Sequence, residues 1–233
     1  MELFGFKKKI GIGQRDIHNH LLPGVDDGFR HAEDSLAAIE RMAQAGCKDL
    51  VFTPHMNPDV YPKESEAHFR EVYEAFKERI PKEWGVKTWL AAEYMVVKDF
   101  QDRAGSDDLL TYEDGSILIE MSYYFKSENI EEAVFALNTE GRKPILAHPE
   151  RYLYMADNLQ EFDRLRDMGC RFQMNRLSLT GIYGGESLII MEYLLSHGMY
   201  DFMATDLHTL SQLDRLTEIS VKRKVAALLP QDN

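Results

Sequence analysis

The segment at residues 16–28 reads DIHNHLLPGVDDG and places two histidines just ahead of a turn that holds two aspartates. Side chains alternate across an extended strand, so His18 and His20 point to the same face and can direct both imidazoles at one metal ion. Pro23-Gly24 predicts a turn that brings Asp27 back toward the same point. Two histidines in this spacing are often inert, so the meaning of the segment depends on what the rest of the chain places beside it.

One unit recurs along the chain: an amphipathic segment, a glycine, a short apolar run and a polar residue. Glycine just past a helix supplies a left-handed cap, and short apolar runs that follow helices are typical of buried parallel strands. The pattern predicts helices at residues 35–45, 130–140, 159–168 and 188–197, and strands at residues 50–55, 144–148, 172–175 and 202–208. Apolar residues at i, i+3, i+4 and i+7 predict a further helix at residues 65–79, and apolar runs predict further strands at residues 86–93 and 117–120.

Counted together with the end of the first segment, about seven strands each finish in a polar or ionisable group. Alternating strands and helices in a chain of 233 residues favour one α/β domain over residues 1–233, with a core at about 15–220, built as a barrel whose site lies at the carboxyl ends of the strands. An open doubly wound sheet is the alternative. It fits less well, because its site would not draw residues from every strand.

Nine ionisable side chains lie at these strand ends or in the first turn. Buried ionisable groups without partners are costly, so a barrel mouth that holds this many implies bound metal ions. The set exceeds one tetrahedral zinc site and suits two or three divalent ions, and its mixture of imidazole and carboxylate favours manganese, iron or zinc over calcium or magnesium alone. The sequence thus predicts a multinuclear metallohydrolase with these ligands: His18, His20, Asp27, His55, Glu93, Glu120, His148, Asp206 and His208.

Composition narrows the class of partner and compartment. The formal net charge of -12 disfavours nucleic acid, whose phosphates need a basic surface. Two cysteines, Cys47 and Cys170, argue against a disulfide scaffold and suit a reducing compartment. No apolar run follows Lys7-Lys8-Lys9 as a signal peptide would require, and none approaches membrane-spanning length, so we expect a cytoplasmic protein without stable membrane insertion.

An ordered set of motifs, from Asp16 to about residue 220, resembles the polymerase-and-histidinol-phosphatase (PHP) superfamily. The narrower resemblance is to its bacterial tyrosine-protein phosphatases encoded with capsule and exopolysaccharide genes. The motifs that carry the resemblance are DxHxHxxPGxDDG at residues 16–28, Thr53-Pro54-His55, Glu93, Glu120, His148-Pro149-Glu150-Arg151-Tyr152, QMNRLSLTGIYG at residues 173–184, and Thr205-Asp206-Leu207-His208.

The resemblance implies a distorted TIM-like (β/α)7 barrel with three metal ions at its mouth, and manganese or iron as the ions. It also implies how the ligands are shared: His18, His20, Glu93 and Asp206 around one ion; His55 and His148, bridged by Glu93, around a second; and Asp27, Glu120 and His208 around the third.

The activity implied is metal-dependent hydrolysis of phosphotyrosine, with the tyrosine-rich tail of a membrane kinase that controls polysaccharide export as substrate. Arg151 matches a family arginine that contacts phosphate. A second family arginine follows the last histidine, but position 213 is leucine here, which leaves Arg215 or Arg176 as candidates. We expect attack by a hydroxide that bridges two ions, with Asp27 or His208 protonating the phenolate.

Three alternatives stay open at this point. One is a small-molecule phosphoesterase of the same superfamily, such as a histidinol phosphatase or a nucleotidase. Another is a protein without phosphatase activity, either a metal-dependent amidohydrolase or an idle polymerase-type accessory domain. The third is a cysteine-dependent tyrosine phosphatase, since Cys170 and Arg176 have the C-x5-R spacing; however, the residues between them contain no glycine and alternate as a strand does.

Overall fold

The computed structural model describes residues 7–230 and has an α/β architecture. The strands are β1 (Lys7–Lys9), β2 (Arg15–Asp16), β3 (Asp49–Phe52), β4 (His55–Met56), β5 (Lys87–Leu90), β6 (Glu93–Met95), β7 (Ser116–Glu120), β8 (Lys143–Ala147), β9 (Arg171–Asn175), β10 (Phe202–Ala204) and β11 (Ser220–Lys222). The helices are α1 (Ala32–Gln44), α2 (Glu66–Lys77), α3 (Ile130–Thr139), α4 (Gln160–Asp167), α5 (Gly185–Ser196), α6 (Leu210–Leu216) and α7 (Arg223–Ala226).

Two parallel sheets form the centre of the molecule. The larger has the order β10-β9-β8-β7-β6-β4 and the smaller has the order β2-β3-β5, while β1 pairs separately and antiparallel with β11. The expectation of parallel strands joined by helices is therefore confirmed. Because all strands within each of these two parallel sheets run in one direction, their carboxyl ends meet at the same edge of the sheet.

The two sheets share chain segments. Only Thr53-Pro54 separates β3 from β4, and only Ala91-Ala92 separates β5 from β6, so two runs of chain pass from the smaller sheet into the larger. Pro54 has no N–H to donate, which accounts for the break in the first run. At the other edge the Asp206 N–H donates to the His18 carbonyl at 2.8 Å, and residues following β10 thus lie beside residues following β2.

The observed helices lie close to their predicted positions because their apolar spacing is local. α3, for example, buries Ile130, Val134 and Leu137, which share one face of the helix. Sequence patterns did not predict α6, α7, β1 or β11. No helix within residues 7–230 is long and apolar enough to cross a membrane.

Candidate metal centre

The turn after the first histidine pair is tightly closed. Gly24 has a φ of 78°, and its N–H donates to the Phe29 carbonyl at 2.8 Å. A Cβ on Gly28 would lie 2.3 Å from the His20 carbonyl oxygen, so only glycine fits where the chain returns past the strand. The turn brings Asp27 Oδ1 to 3.4 Å from His55 Nε2, so the aspartate does return toward the histidines.

All nine side chains predicted as ligands lie in one cluster. Glu120 ends β7 and His148 follows β8, while His55 and Glu93 begin β4 and β6, the short strands that continue the runs of β3 and β5. The cluster divides into overlapping groups whose ligand atoms lie within 4.8 Å of one another: His20, Asp27, His55 and His208; His18, His20 and Asp206; His18, Glu93 and His148; and His55, Glu93 and Glu120.

This grouping differs from the sharing that the family resemblance implies. Glu120 lies with His55 and Glu93 rather than with Asp27 and His208. The register of the sheet explains the difference. Glu93 is level with His55 across the β4–β6 pair, and Glu120 ends the next strand, β7.

Glu93 is the centre of the cluster and is completely buried. Its Oε2 atom lies 3.2 Å from His18 Nε2, 3.4 Å from His20 Nε2 and 3.0 Å from His55 Nδ1. None of these nitrogens reaches it with hydrogen-bond geometry, so this buried oxygen has no hydrogen-bond partner among the described residues. The three histidine nitrogens approach the Glu93 oxygen without hydrogen bonds to it, which fits a cation shared among them.

The electrostatics of the cluster also call for positive charge. Burial alone would raise the pKa of Glu93, but His18 and His55 lower that pKa well below its usual value. Burial would likewise lower the pKa of His18, yet Glu93 and Asp206 raise it. Imidazolium groups here supply the charge that buried carboxylates need, and divalent ions can supply it in their place. The oxygen and nitrogen donors therefore fit manganese, iron or zinc.

Two members of the cluster have strained backbones. His148 follows β8 with a φ of 32°, and Asp206 follows β10 with a φ of 50°. Left-handed conformations in residues other than glycine cost on the order of 1 kcal/mol or more and tend to occur at functional sites. Asp206 also explains why β10 ends at Ala204 and not near the predicted residue 208, since the extended strand stops before the left-handed residue.

Buried partners fix the orientation of the histidines. The ring Nδ1 of His18 lies 2.7 Å from Gln173 Oε1, and that of His20 lies 2.7 Å from Asp26 Oδ2. Both rings therefore direct Nε2 into the cluster, as metal-ligating histidines held by an outer partner do. No role was predicted from the sequence for Asp26 or Gln173. The signals that could have indicated one are the position of Asp26 next to Asp27 and the face of β9 that Gln173 shares with Asn175.

Arg151 lies at the edge of the cluster, where the sequence placed a phosphate contact. Its Nη1 donates to Asp206 Oδ2 at 2.7 Å. Its guanidinium carbon lies over two aromatic rings, 4.2 Å from the centre of Tyr123 and 4.6 Å from the centre of Tyr183. These two cation–π contacts and the bond to Asp206 restrict the orientation of the Arg151 fork.

The structure does not support the other two candidate arginines as phosphate contacts. Arg176 is only 1% exposed, and its Nη1 donates to the Gly11 carbonyl at 2.7 Å, so the side chain is enclosed in the interior. Arg215 is exposed on α6 and lines a shallow cleft with Thr180 and Glu218, and no residue of the metal cluster lines that cleft. The short sequence separation between His208 and Arg215 did not predict that α6 directs the Arg215 side chain away from the cluster.

A cleft of about 900 Å³ opens beside Asp27, His55 and Glu120. Its wall includes Tyr124 and Phe125, whose side chains are 90% and 66% exposed. The cleft thus offers aromatic surface next to the metal ligands. Tyr123 lines the same cleft.

The C-x5-R segment cannot form a phosphate-binding loop around a thiolate. Its five intervening residues are β9 itself. Cys170 is 1% exposed, and burial raises the pKa of its thiol to about 12, so the thiol stays protonated at neutral pH.

Comparison with known proteins places the chain in a family. The family model for capsular polysaccharide synthesis, CpsB/CapC, matches residues 14–225. The chain belongs to this family. Its similarity to named CpsB/CapC relatives extends over most of their length: it is 29% identical over 195 residues to the tyrosine-protein phosphatase YwqE of Bacillus subtilis, covering 83% of this chain and 76% of that one. It is 28% identical over 204 residues to the tyrosine-protein phosphatase CpsB of Streptococcus pneumoniae, covering 84% and 83%.

Solved structures agree with the CpsB/CapC assignment. One from a set of crystal structures of YwqE from Bacillus subtilis and CpsB from Streptococcus pneumoniae, described as metal-dependent tyrosine phosphatases, matches with a TM-score of 0.78 and 26% identity, covering 92% of this chain and 85% of that one. The phosphotriesterase homology protein of Escherichia coli matches with a TM-score of 0.51 and 13% identity over 94% and 92% of the two chains, which is a likeness of fold alone.

Asp26→Asn is expected to lower the affinity of this CpsB/CapC-family chain for manganese by about 10–100-fold. The variant keeps the shape of the side chain but removes the negative charge that makes the His20 ring a better donor. Isothermal titration of the metal-free protein with Mn²⁺ measures the effect. Asp59→Asn, at an exposed carboxylate in the wall of the cleft, is the control. Equal affinities in the two variants would rule out this role for Asp26.

Proposed function

We propose that this chain is a metal-dependent protein-tyrosine phosphatase. One observation carries the proposal: nine potential ligands form one cluster with Arg151 at its edge, and three of them, Asp27, His55 and Glu120, line an aromatic cleft. The named CpsB/CapC relatives are tyrosine-protein phosphatases, and the matched crystal structures are of metal-dependent enzymes, which supports the same activity here.

The nine residues of the cluster are proposed to hold two or three divalent ions, with manganese or iron preferred and zinc as the third choice. The mixed imidazole and carboxylate donors support this preference. Ions of this kind act as Lewis acids toward phosphoryl oxygens and make water acidic enough to attack phosphorus at neutral pH. Glu93 is the proposed bridging ligand, because its two oxygens contact histidines on different sides of the cluster.

Arg151 is proposed to bind the phosphoryl group. Its guanidinium is oriented by Tyr123 and Tyr183, and its five N–H donors exceed what the bond to Asp206 uses. Charge-assisted hydrogen bonds from such a preorganised donor neutralise charge that develops on the transferring oxygens.

Asp27 or His208, whichever is held less tightly by a metal ion, is the proposed source of the proton for the leaving phenolate. Both side chains lie at the edge of the cluster, with Asp27 Oδ1 3.6 Å from His208 Nε2. Asp27 is 61% exposed, which places it within reach of a substrate in the cleft. A phenolate is a fairly good leaving group, so the reaction needs only a modest general acid.

The proposed substrate is a phosphotyrosine protein, specifically the tail of a membrane tyrosine kinase that controls capsule or exopolysaccharide synthesis. The cleft is open along one side of the cluster and so suits a phosphotyrosine within an extended chain. The two free cysteines, Cys47 and Cys170, suit the cytoplasm as its compartment.

We also propose that residues 1–233 form one domain and that its strands close as a distorted (β/α)7 barrel of the PHP type. The order of the parallel strands supports closure. Backbone hydrogen bonds from Asp206 to His18 and from His20 to Leu207 support it at the seam.

A substrate panel tests the activity. Metal-reconstituted protein is assayed with a phosphotyrosine peptide, histidinol phosphate and nucleoside monophosphates under one set of conditions. We expect the highest kcat/KM on the peptide. A preference for histidinol phosphate or a nucleotide would contradict the proposal and favour the small-molecule phosphoesterase.

Cys170→Ser is expected to leave turnover of the phosphotyrosine peptide within about twofold of wild type, whereas a chelator should abolish turnover in both proteins. The thiol is buried and protonated, so the reaction does not need it. Steady-state rates before and after dialysis against the chelator, and after Mn²⁺ is restored, measure both effects. Loss of activity in Cys170→Ser together with resistance to the chelator would require the cysteine mechanism.

A further inference from the structure

Two basic triplets from opposite ends of the sequence lie side by side in the structure. Lys7-Lys8-Lys9 forms β1, and Lys222-Arg223-Lys224 spans the end of β11 and the start of α7. The two strands pair antiparallel, with Lys7 opposite Lys222 and Lys9 opposite Ser220. All six basic residues are exposed. We refer to residues 7–9 and 222–224 as the basic edge.

The pairing of β1 with β11 places two positive charges opposite each other, which lowers the stability of the fold. Lys7 and Lys222 are directly opposite, so their side chains leave the same face, and like charges in such a pair are destabilising. Among residues 7–230, no carboxylate forms an ion pair with any of the five lysines of the edge. A chain with 39 acidic and 27 basic residues thus concentrates six basic side chains on this one edge.

The acidic remainder of the molecule does not cancel this local field. Exposed charges farther apart than about 8 Å are largely screened at physiological ionic strength. An anionic surface brought against the basic edge therefore responds mainly to its lysines and arginine, and each such residue near a bilayer adds to the attraction.

An apolar side chain accompanies the charges. Leu228 follows α7 and is 51% exposed. Basic residues beside an exposed leucine match the bilayer interface, where cations meet lipid phosphates and an apolar group enters the acyl boundary. A nucleic acid offers phosphates but no such apolar layer. We propose that the basic edge binds the surface of a bilayer that contains anionic lipid.

The position of the basic edge leaves the metal centre accessible. The chain runs from Lys9 to Gln14, whose carbonyl accepts from the N–H groups of Lys48 and Asp49 at the amino end of β3. No residue of the basic edge belongs to the metal cluster or lines the cleft beside it. Binding through the basic edge thus leaves the lining of the cleft uncovered, so that a flexible phosphorylated chain can reach it.

Sedimentation with vesicles tests the proposal without a catalytic readout. The full chain is mixed with vesicles of phosphatidylcholine alone or with 30% phosphatidylglycerol, and the bound fraction is measured against salt concentration. We expect binding only to the anionic vesicles, with loss in high salt. The combined variant Lys7→Gln, Lys9→Gln and Lys222→Gln should bind at least about tenfold more weakly.

A matched variant separates the basic edge from total charge. Lys63→Gln, Lys82→Gln and Lys87→Gln remove the same charge at exposed positions elsewhere, and this variant should bind as the wild type does. Thermal melting should show that both variants stay folded, since removing the Lys7–Lys222 repulsion does not weaken the pair. Equal binding by both variants, absence of binding to anionic vesicles, or tighter binding to duplex DNA than to the vesicles would overturn the proposal.

Discussion

Replacing Glu93 by glutamine is expected to remove metal from the protein and to lower kcat for phosphotyrosine hydrolysis by roughly a thousandfold or more. The carboxylate is buried at the centre of the cluster and faces histidines from several strands. An amide offers one oxygen and an NH₂ group that repels a cation, so both the bridging position and its charge are lost. Elemental analysis of the purified variant and steady-state kinetics with a phosphotyrosine peptide measure the two effects.

Glu150→Gln is the matched control for Glu93→Gln. Glu150 is also fully buried, and it accepts hydrogen bonds from the Asn175 N–H, the Ser178 hydroxyl and the Tyr200 hydroxyl. It takes part in none of the groups of potential ligands. We expect this variant to keep its metal, whatever it loses in stability. Normal metal content and turnover in Glu93→Gln would show that the cluster is not the reaction centre.

Replacing Arg151 by lysine is expected to lower kcat by about 100–1,000-fold while metal content stays normal. Lysine keeps the positive charge but loses the planar fork and its contacts with the Tyr123 and Tyr183 rings. The loss should fall on kcat more than on KM, because the charge on the phosphoryl oxygens is redistributed in the transition state. Steady-state kinetics and elemental analysis on the same preparation distinguish loss of the phosphate contact from loss of metal.

Arg166→Lys provides the comparison. Arg166 also forms an ion pair with an aspartate, Asp201, and lies 5.4 Å from the centre of the Phe172 ring, but it belongs to neither the cluster nor the cleft. Its replacement should change kcat less than twofold. If Arg151→Lys behaved in the same way, or lost metal together with activity, Arg151 would not be a phosphate contact.

The identity of the potential ligands could be predicted because the relevant signals are local. Alternation along a strand places His18 and His20 on one face whatever surrounds them. The helix–glycine–strand unit places His55, His148 and Asp206 just after strands, and parallel strands end at a common edge. The structure gathers all of these side chains, together with the two glutamates and the rest of the set, in one cluster.

The sharing of ligands could not be predicted in the same way. Whether Glu120 lies with His55 or with His208 depends on the register of β4, β6 and β7, and a register arises from many weak contacts along whole strands. The burial of Arg176 could not be predicted for the same reason. Its sequence position beside a strand end suggested a phosphate contact, but the packing around it enclosed the side chain against Gly11.

By itself the sequence determined the residue types, their strand-end positions and membership of the CpsB/CapC family, because backbone periodicity and motif order are properties of the chain. Only the tertiary structure decided which groups meet across long separations. Gln173 orients His18 from 155 residues away, and Lys222 lies opposite Lys7. Such pairings depend on sheet order and register, which the summed packing of the whole domain sets and no local pattern encodes.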